Sequence, residues 1–187
     1  MITLLSPAKK LSPECHAVKD TRSECAFLDE SLKLVKILKK FDATDLQSLM
    51  DISEKLSLLN LERYKSWSLP FSESSARQSV FSFMGDTYTG LDAETLTDKD
   101  LRFAQNNVRI LSGLYGLLRP MDLIMPYRLE MGTKLKTDRG THLHDFWNTL
   151  ITKALDDELS SHKNGVLINC ASVEYFKSVD TKTLKAK

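Results

Sequence analysis

Apolar positions recur along this chain with two periods, and each period predicts one kind of element. In residues 27–41 they fall at Phe27, Leu28, Leu32, Val35 and Leu38, the three- and four-residue steps of an amphipathic helix. Leu143, Phe146, Trp147, Leu150, Ile151, Ala154, Leu155 and Leu159 follow the same rule in the strongest helix of the chain, with Thr141 as its cap. Short apolar runs at 2–5, 108–111 and 166–169 read instead as buried strands. Thr44 followed by Gln47 starts a helix near Asp45. The run 57–60 breaks that helix, and 61–68 forms a short partner ahead of Pro70. Residues 74–83 read as helical with Ala76, Val80 and Phe83 inward, and 84–90 as a turn-rich segment. Thr97 with Asp100 caps a helix to Asn107, and 173–179 leads into a short last helix. Strands separated by helices predict an α/β fold, a mixed sheet with flanking helices.

One stretch obeys neither period. Residues 111–132, LSGLYGLLRPMDLIMPYRLEMG, hold three of the seven glycines and two of the five prolines among apolar side chains, tyrosines, arginines and acids. The run is too apolar for a solvated loop and too interrupted for one helix. Buried irregular backbone must satisfy its polar groups specifically, so the stretch is expected to wall a functional cleft.

Composition narrows the class. At 187 residues the chain is expected to form one domain with a real core. Its net charge of +1 leaves any nucleic-acid binding to a local basic patch. No apolar run approaches a membrane span, and the first residues lack a signal-peptide pattern. Cys15, Cys25 and Cys170 fit no zinc spacing and read as reduced thiols of a cytosolic protein. His142 and His144, two apart at a helix start, are expected on different faces. No metal site and no cofactor is therefore assigned.

The chemistry gathers where strands end. If the three strands are parallel neighbours, Ser6, Ser112 and Ser172 meet at one sheet edge, where open α/β sheets bind ligands. Lys9, Gly113, Tyr115, Glu174, Tyr175 and Lys177 would arrive with them, with Arg119 and Arg128 farther along the central stretch and Asp86 and Tyr88 on the turn. This cationic, hydroxyl-rich set suits a phosphate. Each member also has a plain structural reading: serines as helix caps, Arg128 with Glu130 as a buried pair, tyrosines as core residues. The Lys33, Lys36, Lys39 and Lys40 face is either solvated or phosphate-facing. Residues 44–68 form either an ordinary αα-hairpin or a helix–hairpin–helix-like element in which Lys55, Asn60, Arg63 and Lys65 surround a phosphate; its turn lacks the glycines usual in such binders. No GxSxG elbow or Walker loop is present. The chain thus reads as a binding protein more readily than an enzyme. The enzymatic alternative acts on a nucleotide- or nucleoside-like substrate in this strand-end polar pocket, since phosphate binding alone would not require Tyr115, Glu174 and Asp86. Lys9 or Lys177 near Ser6 or Ser172 could make a Ser–Lys arrangement.

SPAKKL at 6–11, FMGDTYTGL at 83–91, LSGLYGLLRPMDLIMPYRLEMGTKL at 111–135, DFWNTLI at 145–151 and INCASVEYFKSV at 168–179 together resemble the YaaA family of peroxide stress proteins. The resemblance implies a cytosolic bacterial protein that limits hydrogen peroxide damage and is linked to lower free iron. It also implies a YaaA-like α/β fold with a basic cleft. The partner it implies is DNA, double-stranded and with little sequence preference, and the helix–hairpin–helix element falls on 45–68. Family members continue beyond Lys187, so this chain is expected to be shorter at its carboxyl end.

Overall fold

A computed structural model describes residues 1–185 of the chain. Ala186 and Lys187, part of the basic tail read as loose at 181–187, lie outside the described residues. In chain order the elements are β1 (Ile2–Leu5), β2 (Lys10–Leu11), α1 (Leu28–Leu38), α2 (Ala43–Met50), α3 (Glu54–Ser66), β3 (Arg77–Gln78), α4 (Ser79–Ser82) and β4 (Phe83–Met84). There follow α5 (Asp86–Leu91), α6 (Asp98–Asn107), β5 (Val108–Ser112), β6 (Gly116–Leu118), β7 (Leu123–Ile124), α7 (Leu143–Ser160), β8 (Leu167–Asn169) and α8 (Val173–Phe176).

The main sheet has the order β6-β5-β1-β8. Its three parallel members are the three apolar runs predicted as strands, paired Leu5 with Ile110 and Leu4 with Asn169. Parallel neighbours need long crossovers, which here carry the helices. β6 runs antiparallel to β5 through a turn that pairs Ser112 with Gly116. The sheet is therefore mixed, with helices around it, as the sequence predicts. Burial is graded across it: β5 and β6 are buried almost throughout, whereas Ile168 and Asn169 on the β8 edge are exposed. Two small antiparallel ladders, β2 with β4 and β3 with β7, tie the loops to this frame.

The β5–β6 turn holds the core together. Gly116 has φ +71, and a Cβ there would lie 2.7 Å from the Trp147 ring. The same indole donates to the Gly113 carbonyl at 2.8 Å. A Cβ on Gly113 would meet the Leu129 carbonyl oxygen at 2.2 Å, so the strand end and the later part of the central stretch cross in backbone contact. Trp147, Phe146, Leu143, Ile151 and Leu155 of α7 are buried, the face read from the sequence.

Several local expectations are corrected. The cap of α2 is Asp42, whose carboxylate accepts from Asp45 N at 2.8 Å while Asp45 accepts from Asp42 N at 3.1 Å. Thr44 lies inside the helix. The break between α2 and α3 is at Asp51, in the left-handed region at φ 50, and not at 57–60, which are helical. A side chain that caps its own helix satisfies the first donors locally, and Ser53 does this for α3. Residues 74–83 do not form one helix, because Gln78 is buried and its amide binds the carbonyls of Lys19 at 2.6 Å and Thr21 at 3.1 Å. Tertiary partners override the helical pattern there. The turn-rich 84–90 is mostly the short helix α5, and α7 is capped at His142, one residue after Thr141.

Gly116→Ala should destabilise the protein by about 2–4 kcal/mol through strain and overpacking. Gly90→Ala, in α5 with nothing within 4 Å of the added carbon, should be neutral or stabilise by up to about 1 kcal/mol. Urea unfolding of the two variants against wild type checks both.

Candidate functional site

The carboxyl ends of β1 and β8 come together because the strands are parallel neighbours. Ser172 N donates to Ser6 Oγ at 2.9 Å, and the two hydroxyl oxygens lie 3.3 Å apart. Ser172 also caps α8, accepting from Tyr175 N. The Tyr88 hydroxyl, from α5, donates to the Ser6 carbonyl at 2.8 Å. Around this point the loop after β1 and the end of the central stretch form a shallow crevice of about 10 Å³, lined by Pro7, Ala8, Lys9, Tyr127, Arg128, Leu129, Glu130 and Tyr175.

The charges in the crevice are arranged about one carboxylate. Glu130 Oε2 is 3.0 Å from Lys9 Nζ, and its Oε1 is 2.9 Å from Arg128 Nη2. Lys9 is 66% exposed at its side chain, Arg128 17%. The Arg128 carbonyl accepts from the Tyr64 hydroxyl at 2.5 Å. Arg128 Nε is buried and has no hydrogen-bond partner among the described residues. Leaving a buried charged donor unpaired is costly. Glu174 on α8 accepts from Gly132 N at 2.9 Å, joining the last helix to the same stretch. Lys177 caps α8 at its end and is exposed, as is Asp86 at the start of α5.

Burial raises the phenols of Tyr64, Tyr88, Tyr115, Tyr127 and Tyr175 above the usual tyrosine range. At neutral pH they remain neutral donors and acceptors, and none supplies a phenolate base.

Other expected members are placed elsewhere. Ser112 ends its strand at the same edge but points inward: it shares a 2.6 Å bond with the Tyr127 hydroxyl and accepts from Tyr115 N at 2.9 Å. Tyr115 is fully buried, receiving a bond from Trp67 Nε1 at 3.0 Å and binding both polar atoms of the Met125 backbone. Gly113 is covered by the Leu129 backbone. Arg119 follows β6, which runs back along β5, so it reaches the opposite end of the sheet, where it binds Asp122 and the Glu24 carbonyl.

The hairpin separates its candidates too. Asn60 is buried inside α3, donating to Leu56 O at 2.8 Å and accepting from Arg63 at 3.4 Å. Lys65 pairs with Glu62 at 3.1 Å, and Lys55 is exposed. Asp51 and Glu54 accompany Lys55 around the α2–α3 turn, an acidic surrounding for a phosphate. On α1, Lys33 pairs with Glu30 and Lys39 donates to the Trp67 carbonyl, so half of that lysine face serves the fold. The residues that sequence reasoning missed are Tyr64, whose only signal was an inward helical position, and Gly132, whose N–H anchors Glu174.

These features define a mixed α/β protein with a polar crevice at the carboxyl edge of its parallel strands. The chain belongs to the YaaA family of peroxide stress proteins, whose model matches residues 1–187. Similar curated proteins include a UPF0246 protein of Burkholderia lata, 49% identical over 188 residues, spanning all of this chain and 72% of that protein. A UPF0246 protein of Aliivibrio fischeri is 46% identical over 186 residues with the same coverage. Among the described residues no helix is long and apolar enough to cross a membrane.

The cysteines divide by environment. Cys25 is buried and its thiol donates to Leu123 O at 3.1 Å; burial first, then the Asp122 charge, push its pKa up. Cys170 is exposed. A thiol-reactive chromophore at pH 8 should modify Cys170 rapidly in the folded protein and Cys25 only after denaturant is added, since the thiolate is the reacting form. Rapid modification of Cys25 in a Cys15→Ser, Cys170→Ser variant would contradict this environment.

Proposed function

We propose that this chain serves in peroxide stress as a cytoplasmic DNA-binding protein that grips backbone phosphates at the strand ends, and not at the α2–α3 turn. The observation that carries the reading is the buried, unpartnered Arg128 Nε in a crevice with exposed Lys9, next to the strand ends where the Ser6 and Ser172 hydroxyls meet. Phosphate contacts of this kind position a duplex without reading its sequence, so binding carries little sequence preference. Such binding would protect the covered backbone from peroxide- and iron-linked damage.

Size separates this reading from the enzymatic one. Small-molecule sites enclose about 300–1,000 Å³, whereas the strand-end crevice holds about 10 Å³. A phosphate oxygen of a polymer lying across the surface fits that space; an engulfed nucleoside does not. Glu130 tempers the two crevice cations, Lys9 and Arg128, which favours a modest affinity, and Lys177, exposed at the end of α8, is taken as the third phosphate contact.

Band-shift titrations over a salt series should give log affinity falling against log salt with a slope near −3, taking about −0.9 for each of three neutralised phosphates. Lys177→Ala should weaken all sequences alike and reduce the slope by about one, while Lys55→Ala should change neither. Absent or salt-independent binding would remove the proposal. Loss on Lys55→Ala with none on Lys177→Ala would move the contact to the hairpin.

A further inference from the structure

Two histidines and a carboxylate meet at the start of α7. Helical periodicity would separate His142 from His144, but His142 precedes the helix, with extended backbone at φ −130 and ψ 155. That conformation turns its ring back along the first turn, and the two imidazoles stack with centroids 5.0 Å apart and planes at 22°. Asp145 lies beneath both: His142 Nδ1 is 3.6 Å from Asp145 Oδ2, and His144 Nε2 is 3.7 Å from Asp145 Oδ1. One ligand atom from each of the three falls within 4.8 Å of the others.

We propose that His142, His144 and Asp145 form a binding site for a divalent first-row transition metal ion. Ligands on one tetrahedral ion at about 2.1 Å sit about 3.4 Å apart, and the two observed imidazole–carboxylate separations are close to that edge. The third separation is within 4.8 Å, and the stacked rings must turn for their in-plane lone pairs to meet on one ion. Two imidazole nitrogens with one carboxylate select Zn(II), Co(II), Ni(II) or Cu(II) over Mg(II) and Ca(II), which prefer oxygen cages.

The surroundings fit a cation. The α7 N-terminal dipole opposes one, and the Asp145 charge offsets it, with Oδ2 also accepting His142 N at 3.1 Å. Gly140 passes so close that a Cβ there would lie 2.8 Å from Asp145 Oδ2, so its missing side chain leaves that face of the carboxylate open. The neighbouring cation, Arg139, is held by Glu30 at 2.9 Å and lies over the Phe146 ring at 4.6 Å. The Thr141 hydroxyl is 3.0 Å from His142 Nδ1, and an ion bound through that nitrogen would replace this contact. The side chains are about one-third exposed, which lets water complete the coordination.

The test is titration of the purified, metal-stripped protein with Co(II), read by visible absorption, with Zn(II) as competitor. Wild type should develop ligand-field bands that saturate near one equivalent and disappear on adding Zn(II). His144→Ala, which places a good helix former inside α7 and disturbs no cap, should weaken binding at least about tenfold. His142→Ala, with folding followed by circular dichroism, provides the same test should the first variant not fold. A His16→Ala, His162→Ala double variant should bind as wild type. No band at one equivalent, or undiminished binding by folded His144→Ala or His142→Ala, overturns the site.

Discussion

The contact of the Trp147 indole with Gly113 and Gly116 is the constraint on which the rest of the structure depends. An indole lying on one glycine and donating to the carbonyl of another docks α7 against the turn between β5 and β6. Full burial of a tryptophan with its N–H satisfied is among the larger single contributions a core receives. The other face of Gly113 is covered by the Leu129 backbone, at a distance no side chain would permit. That crossing brings residues 127–130 back over the strand ends, so the crevice exists because two positions in β5–β6 lack a Cβ.

Electrostatics in the crevice follow from this placement. A chain crossing a sheet edge in irregular conformation must satisfy its carbonyls, and Tyr64 does so for Arg128 while Tyr115 does so for Met125. These phenols are neutral by burial and therefore position backbone without adding charge. Among the described residues that line the crevice, charge comes from Lys9, Arg128 and Glu130, and a carboxylate shared by two cations leaves donors unfilled. The unpartnered Arg128 Nε is the local result.

Much of the architecture was legible because it rests on simple periods. The parallel strands, α1, α6, α7 and the pairing of Ser6 with Ser172 all follow from apolar spacing and strand adjacency. What was not legible depends on partners distant in sequence. Gln78 looks like a solvated helical residue until the 19–21 loop is placed against it. Ser112 and Ser6 end neighbouring strands alike, yet one faces Tyr127 and the other the surface. Arg119 reads as a site residue only while β6 is unseen: a three-residue strand, too short to show a period, reverses the chain and carries it to the other end of the sheet.

Helix starts decided the remaining differences, and their chemical consequences exceed their size. Moving the α2–α3 break from 57–60 to Asp51 takes Asn60 out of a phosphate-facing turn and into the core of α3, and surrounds the true turn with acids. Moving the start of α7 from Thr141 to His142 takes one histidine out of the helical repeat and sets its ring beside another. A shift of one residue is within the ordinary ambiguity of helix ends, yet the side chain at the cap leaves the 100° rotation that governs every residue after it. At such positions the backbone angle of a single residue, rather than the pattern around it, determines which groups share a face.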